Sequence, residues 1–401
     1  MGVADQAVSS LISLVSVVTA ARFLDASEFG VFAVVSLAIS LLIGGAQALL
    51  GQELVLVRGD SDVLARRGRE ALSVALSFGA LAAVVVLAAS PWVGRVALPL
   101  ALASASVPLL FVQETARSVA AVRGQAGAAL ALDLTWMLAM VGLLAVVLGP
   151  LDWRSAEALI VGWCGAGALA GLVAWLALGG GLPRPTLPQR YRARNYLGFR
   201  FLLEFAALRA SSQLLVILLG AMASVDQTGA YRLAITVFGP LTVVILASFT
   251  FGAPILRGAS SRQRSGVLCL GAFGMSAVTA MLLALLLTVP TSFAVSLLGA
   301  SWSGGREFLP PVAAQTAATA VSTMAFLGLR MTRPRSTLRL RVVPAALMPV
   351  AFFVGFWLGG AVGAAWGIAA TAVVQATTAS LVLALHEYKA QTADLLPSDV
   401  Q

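Results

Sequence analysis

The sequence predicts an all-α integral membrane protein with about twelve transmembrane helices in two pseudo-symmetric six-helix lobes. Three observations predict this fold. Apolar runs long enough to cross a bilayer recur along the chain, arginines alternate between successive loops, and the second half restates the first. The mean hydropathy is +0.94, and only 11% of the 401 residues are charged. A soluble protein of this size keeps far more charge on its surface.

Apolar runs of about 20 residues, the length that spans a bilayer, delimit the predicted helices. The first run is preceded by no basic region, so it is predicted to be a permanent span, although its short leader leaves an upstream start codon open. The predicted spans cover residues 3–23, 31–57, 71–90, 96–121, 126–148, 157–178, 201–222, 228–254, 267–289, 307–329, 341–358 and 362–385. These give a first lobe at 1–180, a basic Pro-rich linker at 181–200, a second lobe at 201–386 and a tail at 387–401.

The arginines predict the orientation of the spans. The net charge is +9, and Lys389 is the only lysine. A strongly basic soluble protein would suggest nucleic acid, but these arginines lie in short loops between apolar runs, so no nucleic-acid partner is expected. The loops after helices two, four, six, eight and ten are rich in arginine, and the other loops carry only Arg22, Arg95, Arg154 and Arg306. The positive-inside rule therefore places the rich loops and both termini in the cytoplasm.

The second half repeats the first at an offset of 199 residues (229 minus 30). This offset places Gly229 on Gly30 and Glu204 on Asp5, and no gap is needed across the hairpin at 201–258. Hydropathy repeats in the same register. Self-similarity at half the chain length is typical of transporters built from two related halves, with a cavity between them and alternating access about it.

Charged residues within the spans are the candidate site, because each costs about 2.5–3.5 kcal/mol at mid-membrane. Candidates for binding an anionic substrate are Arg209, Gln213, Arg232 and Arg117. Candidate cavity or coupling acids are Asp133, Asp5, Glu204 and Glu114. A structural alternative stays open: Asp133 pairs with an arginine, Glu114 pairs locally with Arg117, and Arg232 extends towards the outer interface.

Catalytic and metal-binding chemistry is not expected. Cys164 and Cys269 lie in apolar runs without disulfide or metal spacing, and His386 is the only histidine. No nucleotide-binding or nucleophile motif occurs, and the longest outer loop, 290–306, has no His, Asp or Glu. We therefore predict no enzyme activity and no cofactor.

Three segments resemble a known family. Ala4-Asp-Gln-Ala7 and Ala21-Arg-Phe-Leu-Asp-Ala-Ser-Glu-Phe-Gly-Val-Phe-Ala33 are similar to the first helix and turn of bacterial polysaccharide-biosynthesis (O-antigen, Wzx-like) flippases. Gly229-Ala-Tyr-Arg-Leu-Ala234 is similar to the matching motif at the start of their eighth helix. These flippases belong to the multidrug/oligosaccharidyl-lipid/polysaccharide exporter (MOP) superfamily, so a fold like that of the multidrug (MATE) exporters is expected.

The resemblance implies a transporter in the bacterial cytoplasmic (inner) membrane. It implies flipping of undecaprenyl-pyrophosphate-linked oligosaccharide to the outer leaflet for surface polysaccharide biosynthesis, with cavity arginines on the pyrophosphate. Expected partners are this lipid-linked substrate, membrane lipids, and a polysaccharide polymerase or glycosyltransferases. The chain lacks the two additional helices of lipid II flippases, which disfavours a peptidoglycan precursor. The alternative is a cation-coupled exporter of small or drug-like molecules from the same superfamily.

Overall fold

The computed structural model describes residues 2–54, 61–179, 196–206, 211–245, 248, 260–299, 301–332 and 336–394. Every regular element within these ranges is a helix, which confirms the all-α prediction. In chain order the helices are α1 (Gly2–Phe23), α2 (Ala26–Ala46), α3 (Ser61–Ala89), α4 (Ala97–Ser104), α5 (Val107–Val122), α6 (Ala126–Leu148), α7 (Ala156–Ala177), α8 (Tyr196–Phe205), α9 (Ser211–Met222), α10 (Val225–Val237), α11 (Ser261–Thr288), α12 (Thr291–Leu298), α13 (Trp302–Thr332) and α14 (Ser336–Asp394).

The start of α2 shows why the chain turns sharply after α1. Asp25 caps α2, because its Oδ1 accepts a hydrogen bond of 2.8 Å from the Glu28 amide. The Glu28 carboxylate in turn accepts a bond of 2.8 Å from the Ala156 amide at the start of α7. Two residues of the family-like motif therefore serve as caps for two different helices.

The second copy of the repeat has the same cap. Ser224 Oγ accepts a hydrogen bond of 3.2 Å from the Gln227 amide at the start of α10. Ser224 and Gln227 correspond to Asp25 and Glu28 at the 199-residue offset. The sequence repeat is thus accompanied by the same local structure at both helix starts.

Two predicted spans are bent. The span predicted at 96–121 consists of residues 94–104 and α5, which meet at 58°, and Pro108 lies in the first turn of α5. Proline lacks the amide that a continuous helix would need there. The span predicted at 228–254 begins as α10 and turns by 49° into residues 239–245.

The last two predicted spans form a helical hairpin within α14. Gly359 and Gly360 leave helical geometry, and Gly360 has a φ of +58°. The two arms pack closely, since a Cβ on Gly355 would lie 2.2 Å from the Gly363 carbonyl oxygen. Small residues permit such close packing of membrane helices. The turn predicted between residues 358 and 362 is confirmed.

The helices carry an apolar outer surface, as expected for contact with lipid. Phe273 on α11 is 74% exposed and Trp357 on α14 is 84% exposed. Among the described residues, seven helices are long and apolar enough to cross a membrane, or nine if each bent pair is one span. One of the seven is the double-length hairpin, and α1 and α9 contain shorter apolar stretches. The count of twelve spans stays a prediction.

The chain divides into two compact units. The first unit contains residues 1–233 and 295–302, and the second contains residues 234–294 and 303–401. Within the first unit, α6 and α7 pack through Trp136, whose Nε1 donates a bond of 3.0 Å to the Trp163 carbonyl. The six-helix lobes and the linker at 181–200 stay predictions, and residues 180–195 of that linker lie outside the described residues.

Orientation is testable with cysteine labelling from outside the cell. In a background without Cys164 and Cys269, single cysteines at Asp152 and Ser303 are expected to react with an impermeant maleimide. A cysteine at Ser61 should react only after permeabilisation, because the arginine-rich loops are predicted to be cytoplasmic. Labelling of Ser61 in intact cells, or protection of the other two positions, would contradict this topology.

Candidate substrate-binding site

Three of the predicted site residues form an ion cluster between α5 and α6. Arg117 Nη1 donates to Glu114 Oε2 at 3.0 Å, and Arg117 Nε lies 3.1 Å from Asp133 Oδ1. Gln113 Nε2 donates to the same Asp133 oxygen at 3.1 Å. Residues three and four apart share a helix face, so α5 presents Gln113, Glu114 and Arg117 together towards Asp133 on α6.

The ion cluster is buried within the first unit. Asp133 is 1% exposed, Glu114 is 5% exposed, and the Arg117 side chain is 14% exposed. The local Glu114–Arg117 pair and the pairing of Asp133 with an arginine are therefore confirmed as contacts. The Arg117 guanidinium contacts the carboxylates of both Glu114 and Asp133, so its positive charge is paired within the protein. Its use as a substrate ligand stays a prediction and would require those contacts to open.

The end of α2 packs beside the ion cluster. After α2 the chain continues into a π-helical turn at Gln47–Gly51 and a last helical turn at Gln52–Leu54. A Cβ on Gly51 would lie 2.5 Å from Ser118 Oγ on α5, so this turn and α5 are in close contact. π-Turns inside helices occur frequently at functional sites. This irregular turn places the end of α2 against the helix that bears Arg117.

One face of α2 packs along α8, α9 and the start of α10. Near the cluster end, a Cβ on Gly44 would lie 2.7 Å from the Phe205 ring. At the other end, a Cβ on Gly30 would lie 2.1 Å from the Val225 carbonyl oxygen, and one on Gly229 would lie 3.1 Å from Gly30 Cα. The two glycines related by the repeat therefore meet, at the end of the helices predicted to face outside. The 199-residue offset pairs these glycines in sequence, but their contact was not predicted.

The remaining basic and amide candidates lie on α9 and α10. Gln213 is half-buried, and its buried Oε1 has no hydrogen-bond partner among the described residues. Arg232 is half-buried and follows Tyr231, which is 1% exposed. Arg209 lies outside the described residues, so its predicted role stays a prediction.

Only the backbone positions of Asp5 and Glu204, the two acids matched by the repeat, are described. Asp5 lies on α1 and Glu204 lies on α8, but their side chains lie outside the described residues. Within the described part of the chain, no three His, Cys, Asp or Glu side chains converge as they would around a metal ion. Cys164 is buried and Cys269 is exposed, and both are free thiols.

The chain is similar in fold to solved transporters of the MOP superfamily. A lipid II flippase, MurJ, in an inward closed conformation has a TM-score of 0.68 at 10% identity, over 98% of this chain and 92% of that chain. An outward-facing multidrug resistance MATE family transporter has a TM-score of 0.58 at 14% identity, over 97% and 94% of the two chains. A MOP superfamily transporter from Pyrococcus furiosus has a TM-score of 0.53 at 12% identity, over 96% and 93%.

No family model and no curated protein sequence matches the chain. At 10–14% identity the structural matches establish the fold, and the predicted MATE-like fold class is confirmed. The class of protein that this fold defines is a multi-pass helical membrane protein with the architecture of MOP superfamily transporters. A lipid flippase and multidrug transporters share this fold, so the fold alone does not identify a function for this chain.

Proposed function

We propose that this protein flips an undecaprenyl-pyrophosphate-linked oligosaccharide from the inner to the outer leaflet of a bacterial cytoplasmic membrane, by alternating access. The observation that carries the proposal is the fold shared with a lipid II flippase along nearly the whole of both chains. Arg209, with Arg232 or Arg117, contacts the pyrophosphate, since guanidinium groups bind phosphate oxygens in bidentate pairs. A polysaccharide polymerase or glycosyltransferases act on the same substrate.

The described charges favour an anionic over a cationic substrate. A drug exporter coupled to Na⁺ or H⁺ needs acids that attract cations. Asp133 and Glu114 are instead both paired with Arg117. The second candidate function is cation-coupled export of small or drug-like molecules, because a multidrug MATE family transporter shares the fold. Its prediction is that a cationic dye is exported and that mutation of Asp133 stops that export.

Substitution of Arg209 tests the headgroup assignment. Each charge-assisted contact is worth about 1.5–3 kcal/mol, so Arg209→Ala should weaken binding of the lipid-linked sugar by about ten- to a hundredfold. Arg209→Lys keeps the charge but loses the planar fork, and an intermediate loss is expected. The measurement combines membrane abundance with flipping of the lipid-linked oligosaccharide in proteoliposomes.

Arg306→Ala is the matched control, because it removes the same charge from an arginine that is not a proposed substrate ligand. The Arg306 guanidinium donates hydrogen bonds to the Thr291 hydroxyl and to the Leu287 carbonyl. That variant should flip at the wild-type rate. Lipid II in the same assay separates the proposed substrate from the peptidoglycan precursor. If Arg209→Ala is abundant and flips normally, the headgroup assignment is wrong. If misfolding of Arg209→Ala is rescued by removing Asp133 or Glu204, Arg209 only neutralises that acid.

A further inference from the structure

The first unit contains a small, open pocket between α3 and α5, at the end of these helices predicted to face the cytoplasm. Its apolar wall is formed by Leu54, Leu64, Val119 and Val122, and two arginines, Arg67 and Arg123, also line it. Both arginines were predicted to lie in loops. The structure instead places Arg67 on α3, which begins at Ser61, well before the apolar run.

Arg123 is held at the pocket by one contact. It follows the last residue of α5, and its Nη2 donates a bond of 3.1 Å to the Ala65 carbonyl on α3. Its Nε is buried and has no hydrogen-bond partner among the described residues. The absence of a side chain at Gly68 leaves room for this guanidinium, because a Cβ there would lie 2.9 Å from Nη2.

The pocket has more positive than negative charge. The only described acid paired with Arg67 is Glu70, at 3.6 Å, and the Glu70 side chain is 43% exposed. Such an exposed pair is weak. Burial and the nearby charge of Arg69 lower the pKa of Arg123 from its ordinary value. The guanidinium groups of Arg67 and Arg123 therefore lie beside an apolar wall, and only the weak pair with Glu70 offsets their charge among the described residues.

We propose that this pocket binds the phosphate headgroup of a membrane lipid, with Arg67 and Arg123 on the phosphate and an acyl or prenyl chain along the apolar wall. A free anion would need the arginines but not the wall, and an apolar molecule would need the wall but not the arginines. Basic pockets between helices on the cytoplasmic side commonly bind anionic headgroups. The described lining contains none of the proposed substrate ligands, and binding of a bilayer phospholipid here does not depend on what is transported, whereas binding of the carrier lipid rests on the proposed function.

Two lipids offer this chemistry, an anionic phospholipid of the bilayer and a polyprenyl pyrophosphate carrier. Native mass spectrometry of the detergent-purified full chain separates them, with phosphatidylglycerol, phosphatidylcholine and undecaprenyl pyrophosphate as probes. Binding of phosphatidylglycerol at least about tenfold tighter than phosphatidylcholine assigns the site to bilayer lipid. Tighter binding of undecaprenyl pyrophosphate than of either phospholipid assigns it to the carrier.

Three variants locate the binding. Arg123→Gln and Arg67→Gln should each weaken binding of the preferred anionic lipid by about tenfold or more, since each loses a charge-assisted contact. Arg66→Gln removes the same charge from an exposed position on α3 and should bind as the wild type does. Val122→Phe keeps both arginines but fills the pocket, so it should also weaken binding. This variant decides the matter if loss of the Ala65 contact unfolds Arg123→Gln.

The proposal is overturned by any of three results. Equal binding of phosphatidylcholine and both anionic lipids would show that the protein does not recognise the charge of the headgroup. Wild-type binding by the stably folded Arg67→Gln and Val122→Phe variants would place the lipid elsewhere. An equal loss in Arg66→Gln would mean that general surface charge, and not this pocket, attracts the lipid.

Discussion

Replacing Arg117 by leucine is expected to lower the free energy of unfolding by about 3–5 kcal/mol, the cost of leaving a buried ion without its partner. Asp133 and Glu114 would then be two buried carboxylates without the cation that both contact. A domain is stable by only about 5–15 kcal/mol, so the amount of folded protein in the membrane should fall several-fold. The checks are membrane abundance and the melting temperature in detergent.

The ion cluster can be neutralised as a unit to separate folding from transport. Arg117→Leu combined with Asp133→Leu and Glu114→Gln removes all three charges, and well-packed neutral replacements of buried ion pairs are often as stable as the original. Restored abundance together with restored export would make the cluster purely structural. Restored abundance without export would give it a role in coupling or binding. Arg66→Leu is the exposed control. Wild-type stability of Arg117→Leu alone would contradict the predicted cost.

Substitution of Gly30 by leucine is expected to have the largest effect on transport. Any Cβ at this position would stand 2.1 Å from a backbone oxygen of α10, so α2 and α10 would have to separate by more than 1 Å to reach ordinary contact. Such overpacking costs about 1–3 kcal/mol. In a protein that alternates between two states, this changes the ratio of the states by about 5- to 150-fold.

The state disfavoured by Gly30→Leu is the one in which the outer ends of α2 and α10 touch. Export should therefore fall in proportion, while an impermeant maleimide should label a cysteine at Thr228, which is fully buried in this state, faster than in the parent. Gly142→Leu on α6 is the matched control, because a Cβ at Gly142 meets nothing within 4 Å. Normal export by Gly30→Leu with unchanged labelling would mean that this contact takes no part in the transport cycle.

The sequence predicted those features that depend on local pattern. The turn at Gly359 and Gly360 follows from a break between two apolar runs. The pairing of Gly30 with Gly229 follows from the repeat, whereas the matching caps Asp25 and Ser224 were found only in the structure. The 58° bend before α5 was missed, because hydropathy continues through it and a proline in a membrane helix can lie in a bent or a continuous segment.

The contacts of the site depend on packing and could not be predicted. Every member of the ion cluster was noted from sequence, but the partner of Asp133 was not, because several arginines lie at comparable depth. Which turn of α5 faces which turn of α6 is decided by side-chain packing elsewhere in the unit. The Arg67 and Arg123 pocket was missed for a similar reason: α3 continues as a helix through residues that are polar in sequence.

The hairpin of α14 also has a consequence for how the protein is made. Its two arms are joined by only Gly359 and Gly360, so almost no polar chain has to be carried across the bilayer during synthesis. We therefore expect the two arms to insert into the membrane together as one hairpin, with the close contact between Gly355 and Gly363 formed early. A residue other than glycine at position 360, where φ is +58° and ψ is −143°, would cost about 1–3 kcal/mol in the turn, so we expect its first effect to be on insertion and folding of the hairpin.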